Sequence, residues 1–176
     1  MKITSIKELF LDTLNSIFDI EQQLTVALPR MAEASSTPEL RQAFEQHLNE
    51  TREHVDRAQQ IFKQIGERPR RKPNLVLEGM TQGVEELIGN LDEGPLRDAA
   101  LIMAGNQIEH FEMTFYGSLR TFATLFGNKE IAALLERTLD EEKRADSMLT
   151  EIAEQQVNLR AIHEEAASSA GRPGST

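Results

Sequence analysis

Apolar residues recur at three- and four-residue spacing along most of the chain, and the few breaks define its elements. Ser5, with Glu8 three residues on, reads as a capping box. Beyond it Phe10, Leu14, Ile17, Leu24 and Leu28 predict a helix over about 5–34, with Pro29 a point where it can kink. Ser35, Ser36 and Thr37 form a turn. Thr37 as N-cap and Pro38 at the first helical position predict a second helix to about Ile65. Its apolar face carries Leu40, Phe44, Leu48, Thr51, Val55, Ala58 and Phe62. Gly66 ends it, and the Pro- and charge-rich segment 66–74 reads as a loop. Leu75, Val76, Met80, Val84, Leu87 and Ile88 predict a shorter helix over about 74–92. Pro95 opens a third long helix to about Phe126. After Gly127 and Asn128 a fourth runs from about Lys129 to His163. Residues 166–176 have too few apolar groups to offset the entropy of ordering and read as a disordered tail.

The connections predict the topology. The first two long helices are joined by a few residues, as are the last two, so each pair forms an antiparallel hairpin. The link between the hairpins is about 30 residues long and contains a helix, enough to cross a bundle. The expectation is one all-α domain over 1–165, a ferritin-like four-helix bundle of two hairpins with a long helix-containing crossover.

The two hairpins also repeat. Glu21 and Glu112 are 91 residues apart, as are Glu50 and Glu141, and the intervening apolar pattern matches at that offset. Leu28 falls on Leu119, Ala32 on Ala123, Leu40 on Ile131, Phe44 on Leu135 and Leu48 on Leu139. At about 100° per residue, Glu21 sits in the middle of the first helix's apolar stripe, and Glu112 shares a stripe with Leu101, Gly105, Ile108, Tyr116, Leu119 and Ala123. Glu109 lies one turn before Glu112, to one side. Glu141 and Glu142 flank the stripe of the fourth helix. On the second helix His47 and His54 are nearer the stripe centre than Glu50, and Glu53 points to solvent.

Inward carboxylates are costly unless cations lie between them. The sequence offers few inward Arg or Lys, and a pair of divalent ions is the usual solution in such bundles. Two ions bring +4 against −5 from Glu21, Glu50, Glu109, Glu112 and Glu141, with neutral His adding nitrogen ligands. The candidate metal ligands are therefore Glu21, Glu50, His54, Glu109, Glu112 and Glu141. His54 can be read as a ligand or as a core or surface His. His47 reads as an outer donor or a satisfied core His before a ligand. Tyr116, one turn from Glu112, can hydrogen-bond a ligating carboxylate or simply pack. Glu142 reads as a surface acid paired to Arg or Lys before a ligand. His110 reads as facing another surface, and His163, near the tail, as solvated.

Composition narrows the classes. A net charge of −10 disfavours nucleic acid and anionic membrane as partners. The basic stretch Arg68, Arg70, Arg71 and Lys72 is short and broken by Pro69, and reads as a solvated loop. Absence of Cys excludes disulfides, thiol nucleophiles and thiolate metal sites. No apolar run approaches a membrane span and the N-terminus does not read as a signal peptide.

The segments EQQLTVALPRMAEAS, LRQAFEQHLNET, LRDAALIMAGNQIEHFEMTFYGSL and LDEEKRADSML resemble the YciE/YciF family of bacterial ferritin-like stress proteins, over about residues 3–160. The resemblance implies a cytoplasmic, often dimeric helical bundle with a di-metal centre like that of rubrerythrins and bacterioferritins. Glu109 with Glu112 is similar to the rubrerythrin Glu-x-x-Glu. By that similarity Glu21 and Glu112 would be terminal or bridging ligands, with Glu50 and Glu141 contributed by the second and fourth helices. The chain departs from the pattern in lacking a strict Glu-x-x-His and any Cys for a rubredoxin-type iron domain.

The resulting expectation is a cytoplasmic homodimer holding two Fe or Mn ions and reacting with peroxide or dioxygen as a peroxidase, ferroxidase or catalase-like protein. The alternative is a metal-free dimeric structural or interaction module of stressed cells, in which Glu21 and Glu141 pair with Arg or Lys.

Overall fold

The computed structural model describes residues 2–170 and, among them, only helices. The chain folds as an all-α helical bundle. Its elements are α1 (Ile6–Ala34), α2 (Pro38–Gln64), α3 (Leu75–Asn90), α4 (Pro95–Leu125), α5 (Lys129–Ile152), a π-helical turn (Ala153–Val157) and α6 (Asn158–Ala170). None of these helices is long and apolar enough to cross a membrane.

Helix starts follow the local chemistry. Ser5 and Glu8 close the capping box in front of α1, an arrangement worth about 1 kcal/mol. Asn74 caps α3 by accepting from the Val76 and Leu77 N–H groups, and Asn128 caps α5 through Ile131. Pro38 and Pro95 open α2 and α4, where a missing N–H costs nothing. Thr37 departs from its expected capping role. Its hydroxyl donates instead to Asp98 Oδ2 at 2.6 Å, and the Ser36 and Thr37 N–H groups donate to the same buried carboxylate. A charged acceptor makes stronger bonds than a neutral cap would, so the α1–α2 turn is fastened to the first turn of α4.

The hairpins α1–α2 and α4–α5 are the most extensive contacts. They join through α1 on α4 and α2 on α5. The four helices therefore stand in a square, with α1 opposite α5 and α2 opposite α4. Phe10 near the start of α1 stacks edge-on with Phe126 just beyond the end of α4, so that pair is antiparallel too. Helix α3 lies outside the square against α4 and α1. The core holds Leu14, Ile17, Leu24, Met31, Leu40, Phe44, Phe62, Leu101 and Leu119, all essentially inaccessible. Burying each such side chain contributes about 1.5–3 kcal/mol.

Two differences from the sequence-based expectation appear at the C-terminal end. The single helix expected over 129–163 is interrupted by the π-turn, for which we find no signal in Ala153–Val157. Residues 166–170, expected to be disordered, continue α6. The remainder of the expected tail, 171–176, lies outside the described residues.

Candidate metal centre

The bundle centre is polar because of where the helical stripes fall. On α5 the buried positions Leu135, Thr138, Glu142, Ala145, Leu149 and Ile152 alternate in steps of three and four. On α2 the same rhythm runs through Leu40, Phe44, His47, Thr51, His54, Ala58 and Ile61. These seams point at Glu21 of α1 and at Glu109, Glu112 and Tyr116 of α4, all buried.

Two groups of ligand atoms result. His47, Glu109, Glu112 and Glu142 each place one donor atom within 4.8 Å of the others, and so do Glu21, His54 and Glu142. An ion bound at about 2.1 Å spaces its ligands by roughly 3–4.2 Å, close to what is present. Glu142 belongs to both groups. His47 Nε2 lies 3.2 Å from Glu109 Oε1 and 3.6 Å from Glu142 Oε2. His54 Nδ1 lies 3.3 Å from Glu21 Oε1 and 3.0 Å from Glu142 Oε1. The far nitrogen of each ring meets another carboxylate. His47 Nδ1 is 3.6 Å from Glu50 Oε2, and His54 Nε2 is 3.1 Å from Glu141 Oε2. A ring held between an outer carboxylate and an inner cluster is the usual arrangement of a metal-ligating histidine.

The fit to metal rests on the unpaired atoms. Glu21 Oε2, both nitrogens of His47, His54 Nδ1, Glu109 Oε2 and both oxygens of Glu112 and of Glu142 are buried without a hydrogen bond. Native interiors leave few such groups, because each costs about 1–3 kcal/mol. Nine ligand-type atoms unpaired in one place fit coordination, and an oxygen-rich set with two imidazoles suits Fe(II) or Mn(II).

Without ions, protons carry the charge balance. Burial disfavours the charged form of His54 most, but the Glu21 charge, the bond to Glu141 and the Glu142 carboxylate beside the ring outweigh it and push its pKa up to about 12. The same contest at His47, where Glu109, Glu50 and Glu142 oppose burial, ends at about 9. Burial pushes Glu109 and Glu112 well above the usual carboxylate range. At Glu112 the Glu142, Glu21 and Glu109 charges add to it. At Glu142 burial is outweighed by His54 and His47, which hold it below that range. Tyr116 donates to Glu21 Oε1, and burial beside that carboxylate raises its own pKa.

Among the sequence candidates, the structure brings Glu21, His54, Glu109 and Glu112 together with His47 and Glu142. The expectation that Glu142 is a surface acid is corrected: it is fully buried at the centre of the site. One residue is about 100° of helix, and the α5 seam passes through 142. Glu50 and Glu141 each sit one residue off the seam and stand behind the histidines. Glu141 already has its cations: Arg57 Nη1 is 2.5 Å from Oε2 and Arg137 Nε 3.1 Å from Oε1. Burial raises its pKa, but the bonds with His54, Arg57 and Arg137 outweigh it and hold it down at about 2. Glu53 and His110 face solvent as expected. Arg57 is the inward cation that the pattern did not reveal. It is buried, and it also donates to Thr138 Oγ1 at 2.6 Å. Its only sequence signal is its place three residues beyond His54 on the inner side of α2.

Residues 5–162 match the family described as a domain of unknown function, DUF892. The protein YciF of Escherichia coli is 36% identical over 162 residues, covering 92% of this chain and 98% of YciF. The crystal structure of that E. coli protein, described as a stress protein, superposes with a TM-score of 0.85 over 89% of this chain and 99% of the other. YcfI, a proposed structural protein from Rhodopseudomonas palustris, is 32% identical, with a TM-score of 0.82 over 85% and 95% of the two chains. A Xanthomonas campestris protein at 20% identity and a TM-score of 0.71 shares the fold. The chain thus belongs to the YciF-like DUF892 family.

Proposed function

We propose that the buried cluster binds two divalent ions, iron or manganese, and that the protein reacts through them with peroxide or dioxygen. His47, Glu109 and Glu112 would hold one ion, Glu21 and His54 the other, and Glu142, which belongs to both groups, would serve both. The observation carrying this reading is the set of buried, unpaired Glu and His atoms converging from four helices. The four inner carboxylates bring −4, which two divalent ions match. The stress role of the E. coli relative agrees with oxidant chemistry.

The ions would supply Lewis acidity and electrons to the bound oxidant. The chain's own residues orient and insulate. Glu50 and Glu141 fix the tautomer and tilt of His47 and His54. Tyr116 fixes one oxygen of Glu21. The surrounding Leu and Ile side chains keep bulk water away. In this reading the protein acts as a cytoplasmic homodimer.

A second reading, a metal-free structural module, has its own support. Glu141 pairs with Arg57 and Arg137 as that reading expects, and YcfI is proposed to be structural. It leaves both oxygens of buried Glu112 without a hydrogen bond among the described residues. Elemental analysis after anaerobic loading with Fe(II) or Mn(II) separates the two. About two ions per chain in the wild type, and loss of the ion of the His47–Glu109–Glu112 group in Glu112→Ala, support the di-metal centre. No stoichiometric ion under either loading selects the structural module.

A further inference from the structure

The repeat relates the two ion positions, and one pair of matched residues differs in a way that opens the site on one side only. At the offset of 91, Glu50 corresponds to Glu141, His47 to Thr138 and Arg57 to Met148. On the His54 side, Arg57 crosses from α2 to α5 and meets Glu141 and Thr138 at 2.5 and 2.6 Å. That guanidinium is buried and closes the bundle over His54 and Glu21, both inaccessible. On the His47 side, Met148 of α5 takes the matching place. It bears no charge to reach Glu50 and is 36% exposed. A cavity of about 70 Å³ opens there, bounded by Phe44, His47, Glu50, Glu109, Arg144 and Met148. It connects half-exposed Glu50 and exposed Arg144 with His47 and Glu109, which belong to the buried cluster. Ligand pockets for drug-sized molecules run to about 300–1,000 Å³. This one suits a molecule of two or three heavy atoms.

We propose that the cavity beside Met148 is the port through which small neutral oxidants, dioxygen or hydrogen peroxide, reach the centre. It delivers them to the His47–Glu109–Glu112 position alone, while Arg57 closes the His54–Glu21 position. The proposal rests on the di-metal reading above. Glu50 thereby has two roles, behind His47 and in the wall of the port. Met148 is the residue that sets access.

The test uses nitric oxide as a neutral two-atom probe on full-length protein loaded anaerobically with Fe(II). Ion content is measured on the same samples. Wild type should bind one nitric oxide per pair of ions. Met148→Arg, which reproduces the closure made by Arg57, should keep both ions and slow nitric oxide binding by at least about tenfold, as expected when association must await a conformational opening. Met148→Ala should bind at least as fast as wild type. Met103→Arg, an exposed methionine elsewhere on α4, should change nothing. Unchanged binding rates in Met148→Arg with both ions retained would overturn the port while leaving the di-metal reading intact. Two nitric oxide molecules per ion pair would overturn the one-sided delivery. Failure of the wild type to take up ions would remove the di-metal reading and the port with it.

Discussion

The hairpins α1–α2 and α4–α5 are copies of one pattern, yet they give the centre different chemistry. The first supplies both histidines and one inner carboxylate, Glu21. The second supplies three inner carboxylates, Glu109, Glu112 and Glu142, and the buried Tyr116. The matched apolar positions, Leu28 with Leu119 and Leu40 with Ile131, are buried in both. The matched polar positions diverge: His47 against Thr138, Thr51 against Glu142, His54 against Ala145, Phe18 against Glu109. The shared pattern therefore makes the frame, and the divergent seam residues decide which side chains reach the cluster. Among the described residues, Glu21 and Glu112 are the matched pair that both enter it, with Glu50 and Glu141 alike behind the histidines.

The comparison breaks most completely at Glu142, which has no acidic counterpart in the first hairpin. Glu142→Ala should abolish stoichiometric binding of both ions, read by equilibrium dialysis. Loss of one ion alone would mean that it is not shared.

Glu50→Gln and Glu141→Gln should each keep the fold and weaken metal affinity by about 10–100-fold, the usual consequence of losing a carboxylate behind a histidine ligand. Glu141→Gln should have the larger effect, because it also loosens Arg57 and Arg137. Equal and negligible effects would show that neither acid supports its histidine.

Proton balance gives the next test. His47 and His54, both from the first hairpin, have folded pKa values raised to about 9 and about 12. Their charged forms stabilise the ion-free protein fully below the unfolded value near 6.5. That stabilisation is lost as pH rises through 6.5 toward 9 and beyond. The melting temperature in chelator should fall between pH 6.5 and 9, and that of loaded protein should fall less. Metal affinity should rise over the same range by about tenfold per pH unit for each proton displaced.

The smallest effect expected is on stability without metal. Glu112 is buried with both oxygens unpaired. Glu112→Met should stabilise ion-free protein by about 1–3 kcal/mol, the cost of leaving such a group unsatisfied, while weakening the binding of the one ion assigned to it. Denaturant melts in chelator read this directly. Destabilisation would show that Glu112 has a structural partner.

Much of this was legible in the sequence, and what was not has definite physical causes. Helix bounds followed from Ser5, Pro38, Pro95 and the glycine and asparagine breaks, because those residues act locally. Glu21 and Glu112 were legible because they stand mid-stripe, where a solvated acid has no place. Glu141 and Glu142 straddle their stripe, and neighbours 100° apart are resolved only by how α5 is rotated against α2. Arg57 was missed because a long cationic side chain reads as solvated unless its acceptors across the bundle are known. The port was equally hidden, since it depends on what Met148 fails to reach.

Two ions sharing the Glu142 carboxylate would couple magnetically, which electron paramagnetic resonance of Mn(II)-loaded protein reads. The expected spectrum is that of an exchange-coupled pair, replaced by uncoupled or absent Mn(II) in Glu142→Ala. A wild-type spectrum of isolated Mn(II) ions at full occupancy would contradict it.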